Sequence, residues 1–206
     1  MSTRQQIEDF ALGMFLKYGI KSVTMDDLAN AMGISKKTLY QYVSNKEDLV
    51  HSVIKKLRTE DMNKMAGVID ASSNAIDSVM KVAQEAAEKL EMVSPIAVYD
   101  LKKYHQSIWQ EVEEKEVEFI FSFIEKNINR GIAEGLYRAD IDQEFVKRLH
   151  TGIAFSAIDE RLFPRNMYSK SLLLKEMMYH FLLGIVTDKG YEFLQTYRNT
   201  KPQVGE

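Results

Sequence analysis

Apolar residues recur along the chain at the period of a helix. Ile7, Phe10, Ala11, Met14 and Phe15 stand at i, i+3, i+4, i+7 and i+8, which predicts a first helix with one inward stripe. Gly19 predicts its stop, with Ile20 packing just after the turn. Thr24 precedes "MDDLANAM" with Asp27 three residues on, close to a capping box, and acids in a first turn suit the positive end of the helix dipole. Leu28, Ala29 and Met32 form the inner face of this short second helix, and Gly33 ends it. Ser35 predicts the cap of a third helix, with Leu39 and Val43 inward. Asn45 predicts the cap of a fourth, continued inward by Leu49, Val53 and Leu57. Three helix starts and two glycine stops thus crowd into residues 19–45, a compact three-helix module with a fourth helix leading out.

Beyond residue 70 the periodic stretches lengthen, to roughly 72–92, 95–108, 111–134, 142–163, 169–187 and 189–198. Pro95 fits a first helical turn. "NRGIAEGLYRADID" predicts a helix end and a connection. No stretch alternates like a strand. The expected fold is all-α, with an N-terminal helix-turn-helix domain over residues 1–47 and a larger helical bundle over 48–206.

Charge refines this picture. The net charge is −3, which argues against bulk attraction to nucleic acid. From Leu28 to Lys46, however, there are three lysines and no acid, a positive patch in a chain that is acidic elsewhere. There is no cysteine, so disulfides and thiolate metal sites are excluded, which fits a cytoplasmic protein. "MSTRQQIEDF" lacks the apolar core of a signal peptide, and the apolar run near 177–187 is too short to span a membrane. Nothing calls for a cofactor.

A helix, a tight turn at Gly33 and a second helix rich in hydrogen-bond donors is the layout of a helix-turn-helix. Its second helix lies in the DNA major groove. Leu39 and Val43 would hold that helix to the module, leaving the opposite face for DNA. Lys36 and Lys37 suit phosphates or guanine edges, and Gln41 can donate and accept to adenine. Thr38, Tyr40 and Tyr42 carry hydroxyls suited to phosphate oxygens. Thr24, Ser35 and Lys46 stand at three helix starts, where free backbone N–H groups share a phosphate with the side chain. The bland alternative for these residues is a solvated helix face, with Tyr40 and Tyr42 partly buried against the fourth helix.

The stretch from Ile7 to Val50, with "VTMDDLANAMGIS" followed by "TLYQYVSNKEDL", resembles the DNA-binding domain of tetracycline-repressor-like (TetR-type) transcriptional regulators. The resemblance is specific over about 45 residues. It implies an all-α homodimer on a palindromic operator of double-stranded DNA, with a C-terminal bundle that dimerises and binds a small-molecule effector. Ligand binding would then release a repressor from its operator. It implies groove-facing roles for Lys36, Lys37, Thr38 and Gln41, and phosphate contacts for Thr24, Ser35, Tyr40, Tyr42 and Lys46.

In "LLLKEMMYHFLLGIV", eleven of fifteen residues are apolar, so this helix needs cover on more than one side. A second subunit is one cover and the centre of a monomer's core is the other. Leu173, Met177, Phe181, Leu182 and Ile185 are the expected dimer residues there, with Phe145, Leu149 and Ile153 on the preceding helix. This agrees with the four-helix interface that the resemblance implies. Met62, Met65, Met80, Tyr99, Tyr104, His105, Trp109, Phe123 and Phe155 are candidate pocket residues for an apolar or amphipathic ligand, although residues of these types more often form plain core than a pocket wall.

An enzyme is the rival class. A di-iron bundle needs Glu-x-x-His pairs, but the residues three before the histidines are Asp48, Lys102, Lys147 and Met177. No nucleophile elbow, phosphate loop or zinc-protease motif is present. A TetR-type scaffold that senses no small molecule is the second rival.

Overall fold

The computed structural model describes residues 3–164 and 166–199. Among them the helices follow as α1 (Thr3–Tyr18), α2 (Met25–Ala31), α3 (Lys36–Leu39), α4 (Lys46–Asp70), α5 (Ala75–Met92), α6 (Pro95–Tyr104), α7 (Gln106–Ala133), α8 (Gln143–Ser156), α9 (Lys170–Leu183) and α10 (Asp188–Asn199). Tyr137 and Val186 form an isolated antiparallel bridge. The fold is all-α. The chain up to Lys64, with Met92–Lys115, makes one compact unit; Met65–Glu91, with the chain from Glu116, makes a second.

In the first unit, α1 buries Ile7, Ala11 and Phe15, spaced four apart, whereas Phe10 is exposed and Met14 half-buried. Leu28, Leu39, Val43, Leu49 and Val53 complete this core as expected, joined by Leu101 of α6 and Ile108 of α7. Gly19 holds φ +85°, and a Cβ there would stand 2.7 Å from Ile96 Cγ2 and 2.8 Å from Asp100 Oδ2. Only glycine meets both demands.

The second unit packs Ile76, Val79, Met80 and Ala83 of α5 against Ile124 and Ile128 of α7 and Leu174, Met178 and Leu182 of α9. Its core carries paired polar groups. Asn127 donates to the Ala75 carbonyl at 2.8 Å and accepts the Tyr137 hydroxyl at 2.9 Å. Glu134 accepts the Ala75 amide at the start of α5, also at 2.8 Å.

Several helix ends depart from the periodicity. The break expected between 108 and 111 falls at His105, which leaves helical geometry (φ −133°, ψ 52°) because its buried ring bonds Glu47 at 2.5 Å. α8 stops at Ser156 rather than near 163; the buried Lys170 ammonium satisfies the Ala157 carbonyl at its end, at 2.7 Å. α9 stops at Leu183 because Ile185 and Thr187 turn their backbone to Arg138 and Leu136 instead. Of the two glycines in "NRGIAEGLY", Gly135 (φ +69°) follows the end of α7, while Gly131 stays helical and leaves room for the Tyr137 ring.

Candidate nucleic-acid interface

The turn that presents α3 is built by backbone bonds around one glycine. Gly33 (φ +68°) donates to the Asn30 carbonyl and Ile34 to the Ala29 carbonyl, the pair of bonds that defines a Schellman stop. Ser35 then caps α3, its hydroxyl accepting the Thr38 amide at 3.0 Å. α3 itself is a single turn. After Leu39 the backbone tightens, with the Gln41 and Tyr42 amides bonding the Thr38 and Leu39 carbonyls three residues back. Leu39 and Val43 are buried, and Lys36, Lys37, Tyr40, Gln41 and Tyr42 are exposed around them.

The chemistry of this face is more committed than the residue types imply. Lys36 Nζ lies 2.9 Å from one oxygen of Asp26 and 3.0 Å from the other, and this pairing raises its pKa. Both groups are solvent-exposed, so the pair is weak and a phosphate can compete for the lysine. Lys37 is exposed and is the freer of the two.

Thr24 forms a full capping box. Its hydroxyl accepts the Asp27 amide at 3.1 Å, and Asp27 Oδ2 accepts both the Thr24 amide (2.9 Å) and hydroxyl (2.6 Å). Those bonds, led by the hydroxyl's, hold the Asp27 pKa below its usual value. The Thr24 proton is therefore already given away, and a phosphate there would have to displace Asp27. Ser35 and Thr38 hydroxyls lie 2.8 Å apart; one donates to the other, which leaves one proton free for an outside acceptor.

Lys46 is half-buried, donating to the Lys21 carbonyl at 3.2 Å. That partial burial lowers its pKa, with the Asp100 and Asp27 carboxylates pulling the other way. Asn45 caps α4 by accepting the Asp48 amide at 2.8 Å.

Two positioning groups escaped the periodicity. Arg4 donates to the Tyr42 carbonyl at 3.1 Å and to Glu8 and Asp48 at 3.0 and 3.5 Å, tying the turn after α3 to α1. Asp100 of α6 accepts the Lys21 amide at 2.8 Å, tying the α1–α2 turn to α6. A lone arginine or aspartate on a helix face carries no local signal, because its partner lies tens of residues away.

The candidate pocket residues divide between the units. Met62, Tyr99, Tyr104, His105 and Trp109 belong to the first, and Met65, Met80, Phe123 and Phe155 to the second. Tyr99, Tyr104 and Met62 are exposed, His105 is buried on Glu47, and Met80 and Phe123 are in the second core. An open cleft of about 350 Å³ in the first unit, between Asn45, Asp48, His51, Ile108 and Glu111, is lined by none of the nine. His150, beside Phe123 and Phe181, is buried with no hydrogen-bond partner for Nδ1. Burial pushes its pKa down to about 4.

Of the candidate dimer residues, Leu173, Phe181, Leu182 and Ile185 lie in the second unit's own core, with Ile153 and Met177 packed against it. Their burial needs no second copy. Phe145 and Leu149, one turn apart on α8, are 62% and 44% exposed, and Leu172 and Leu183 are the exposed apolar residues of α9.

Comparison with known proteins shows what this geometry is similar to. Residues 7–53 match the family described as bacterial regulatory proteins, tetR family. The HTH-type transcriptional regulator YvaF of Bacillus subtilis (strain 168) is 34% identical over 89 residues; the match covers 43% of this chain and 47%, about half, of that protein. The HTH-type transcriptional repressor KstR2 of Mycobacterium tuberculosis (strain CDC 1551 / Oshkosh) is 23% identical over 159 residues, covering 71% of this chain and 75% of its own. The structure of the transcriptional regulator FadR from Bacillus subtilis in complex with stearoyl-CoA shares the fold, with a TM-score of 0.65 at 17% identity over 88% of this chain and 98% of that one. No described helix is long and apolar enough to cross a membrane. The similarity to bacterial regulatory proteins of the tetR family thus lies in residues 7–53, which hold the helix-turn-helix, and the relatives named are transcriptional regulators.

Proposed function

We propose that the protein is a cytoplasmic, ligand-responsive repressor that binds a palindromic operator as a homodimer and leaves it when a small apolar or amphipathic molecule binds. The observation that carries the DNA-reading half is the exposure of Lys37, Gln41 and Tyr42 around the buried anchors Leu39 and Val43. Lys37 and Gln41 read the groove. Tyr40, Tyr42, Lys46 and the spare hydroxyl proton of the Ser35–Thr38 pair hold phosphates. Residues 1–47 do the reading, and residues 48–206 dimerise and bind the effector.

The exposed stripe of Phe145 and Leu149, with Leu172 and Leu183 of α9, supports a dimer face. The unpartnered His150 nitrogen between two phenylalanine rings supports a mostly apolar effector carrying one polar group. Stearoyl-CoA, held in the FadR structure, joins a long apolar chain to a polar group, and KstR2 of Mycobacterium tuberculosis is a ketosteroid transcriptional regulator. α4 and α7 each run unbroken from one unit into the other and are the elements available to carry the response.

Selection from a randomised duplex library tests this reading. Enrichment of a palindrome with half-sites about one helical turn apart is the expected result; no enrichment with or without stearoyl-CoA would overturn it.

A further inference from the structure

Several lysines in this protein end on carboxylates: Lys36 on Asp26, Lys56 on Asp9, Lys81 on Asp77, Lys115 on Glu111. One surface of the first unit breaks that habit. Lys21 Nζ lies 4.4 Å from the centre of the Tyr104 ring, Lys103 Nζ lies 5.1 Å from that of Tyr99 and 5.5 Å from that of Tyr104, and Lys17 Nζ lies 4.9 Å from that of Tyr18. An aromatic face orients an ammonium without neutralising it. These lysines therefore keep their whole positive charge for an outside anion.

The phenols add donors. Tyr104 accepts from Lys21 at 2.9 Å and Tyr99 accepts from Lys103 at 2.7 Å, so each phenol keeps its own proton to give. Asp100 lies between the two tyrosines in sequence; it is buried and accepts the Lys21 amide, and its charge acts on Lys46, but it forms no ion pair with Lys21 or Lys103, whose ammonium groups end on phenols. The strip also runs on from the DNA-facing side, because the Lys46 ammonium rests on the Lys21 carbonyl.

We infer that Lys21, Lys103, Tyr99 and Tyr104 form a second phosphate-binding surface, which holds the backbone of the DNA duplex beyond the half-site that α3 reads. The inference rests on the DNA-binding function proposed above and extends its footprint. The occupant is the duplex because the strip continues from Lys46, and its alternation of cations and phenols matches a line of phosphates rather than one buried anion. No base-reading group is present, so the surface adds affinity and salt dependence without sequence preference.

The test compares two fluorescein-labelled duplexes, the selected palindrome trimmed at its ends and the same palindrome extended by about one helical turn, ten base pairs, at each end. Full-length protein is titrated with each across a salt series. The extended duplex is expected to bind more tightly, with a log–log salt slope steeper by about two for each strip engaged. Its advantage should shrink about tenfold per strip between about 50 and 200 mM salt. Lys21→Gln with Lys103→Gln should abolish that advantage and leave the trimmed duplex unaffected, whereas the two arginine variants should retain it. Equal slopes for both duplexes in the wild type, or an equal loss on both in the glutamine variant, would overturn the inference while leaving operator binding intact. Failure of the wild type to bind either duplex would instead overturn the DNA-binding function, and the inference with it.

Discussion

The guanidinium of Arg4, on α1, donates to the backbone carbonyl of Tyr42 at 3.1 Å, across 38 residues. It also bonds Glu8, a buried carboxylate that accepts the Ser52 hydroxyl as well. The turn leaving α3 is thereby fixed to α1 through a backbone carbonyl and a buried carboxylate rather than through apolar packing.

Arg4→Ala is expected to lower operator affinity several-fold while preserving the sequence preference, because it loosens the position of Tyr40 and Tyr42 without altering Lys37 or Gln41. Binding titrations against the selected palindrome and a one-base variant check this. A changed preference would mean that Arg4 itself reads a base.

Lys46 and Gln41 should separate in the same measurements. Lys46→Ala is expected to weaken binding to all duplexes and reduce the salt slope by about one unit per half-site. Gln41→Ala should shift preference at one base position at a cost of about 1–3 kcal/mol there. An unchanged salt slope for Lys46→Ala would remove its phosphate role.

His150 predicts an acid-side loss of stability. Its folded-state pKa lies near 4, against an ordinary 6.5, because burial opposes the charged ring. Below pH 6.5 the unfolded chain takes up this proton and the folded chain does not, so stability falls as pH drops from 6.5 towards 4 and levels off below that. The whole window corresponds to roughly 3 kcal/mol. Urea unfolding of wild type and His150→Phe at pH 7.0 and 4.5 measures it; the variant should show the smaller decline, and parallel declines would contradict the assignment.

Paired Phe145→Glu and Leu149→Glu substitutions are expected to yield monomers by light scattering, with the helical circular-dichroism signal retained. Both side chains are exposed, so neither change opens a cavity. An unchanged dimer mass would move the interface elsewhere.

What was legible in the sequence was what is local. The Thr24–Asp27 box, the Gly33 stop, the Ser35 and Asn45 caps and the Leu39–Val43 anchors each depend on residues within a few positions of one another, and each appears as expected. What escaped depends on distant partners. The break at His105 requires Glu47, the end of α8 requires Lys170, and the commitment of Lys36 requires Asp26, ten residues earlier across the turn. The apolar richness of α9 was visible, but whether its own subunit covers Leu173, Phe181 and Leu182 is decided by α5 and α7, which no window around residue 180 contains.

Gly19 has a mechanical consequence. At the α1–α2 turn the Gly19 backbone meets the Ile96 and Asp100 side chains of α6 where a methyl group would be, and Asp100 also grips the same turn through the Lys21 amide. A displacement of α6 is thus passed directly to the backbone of the α1–α2 turn, through the Gly19 contact and the Asp100–Lys21 bond.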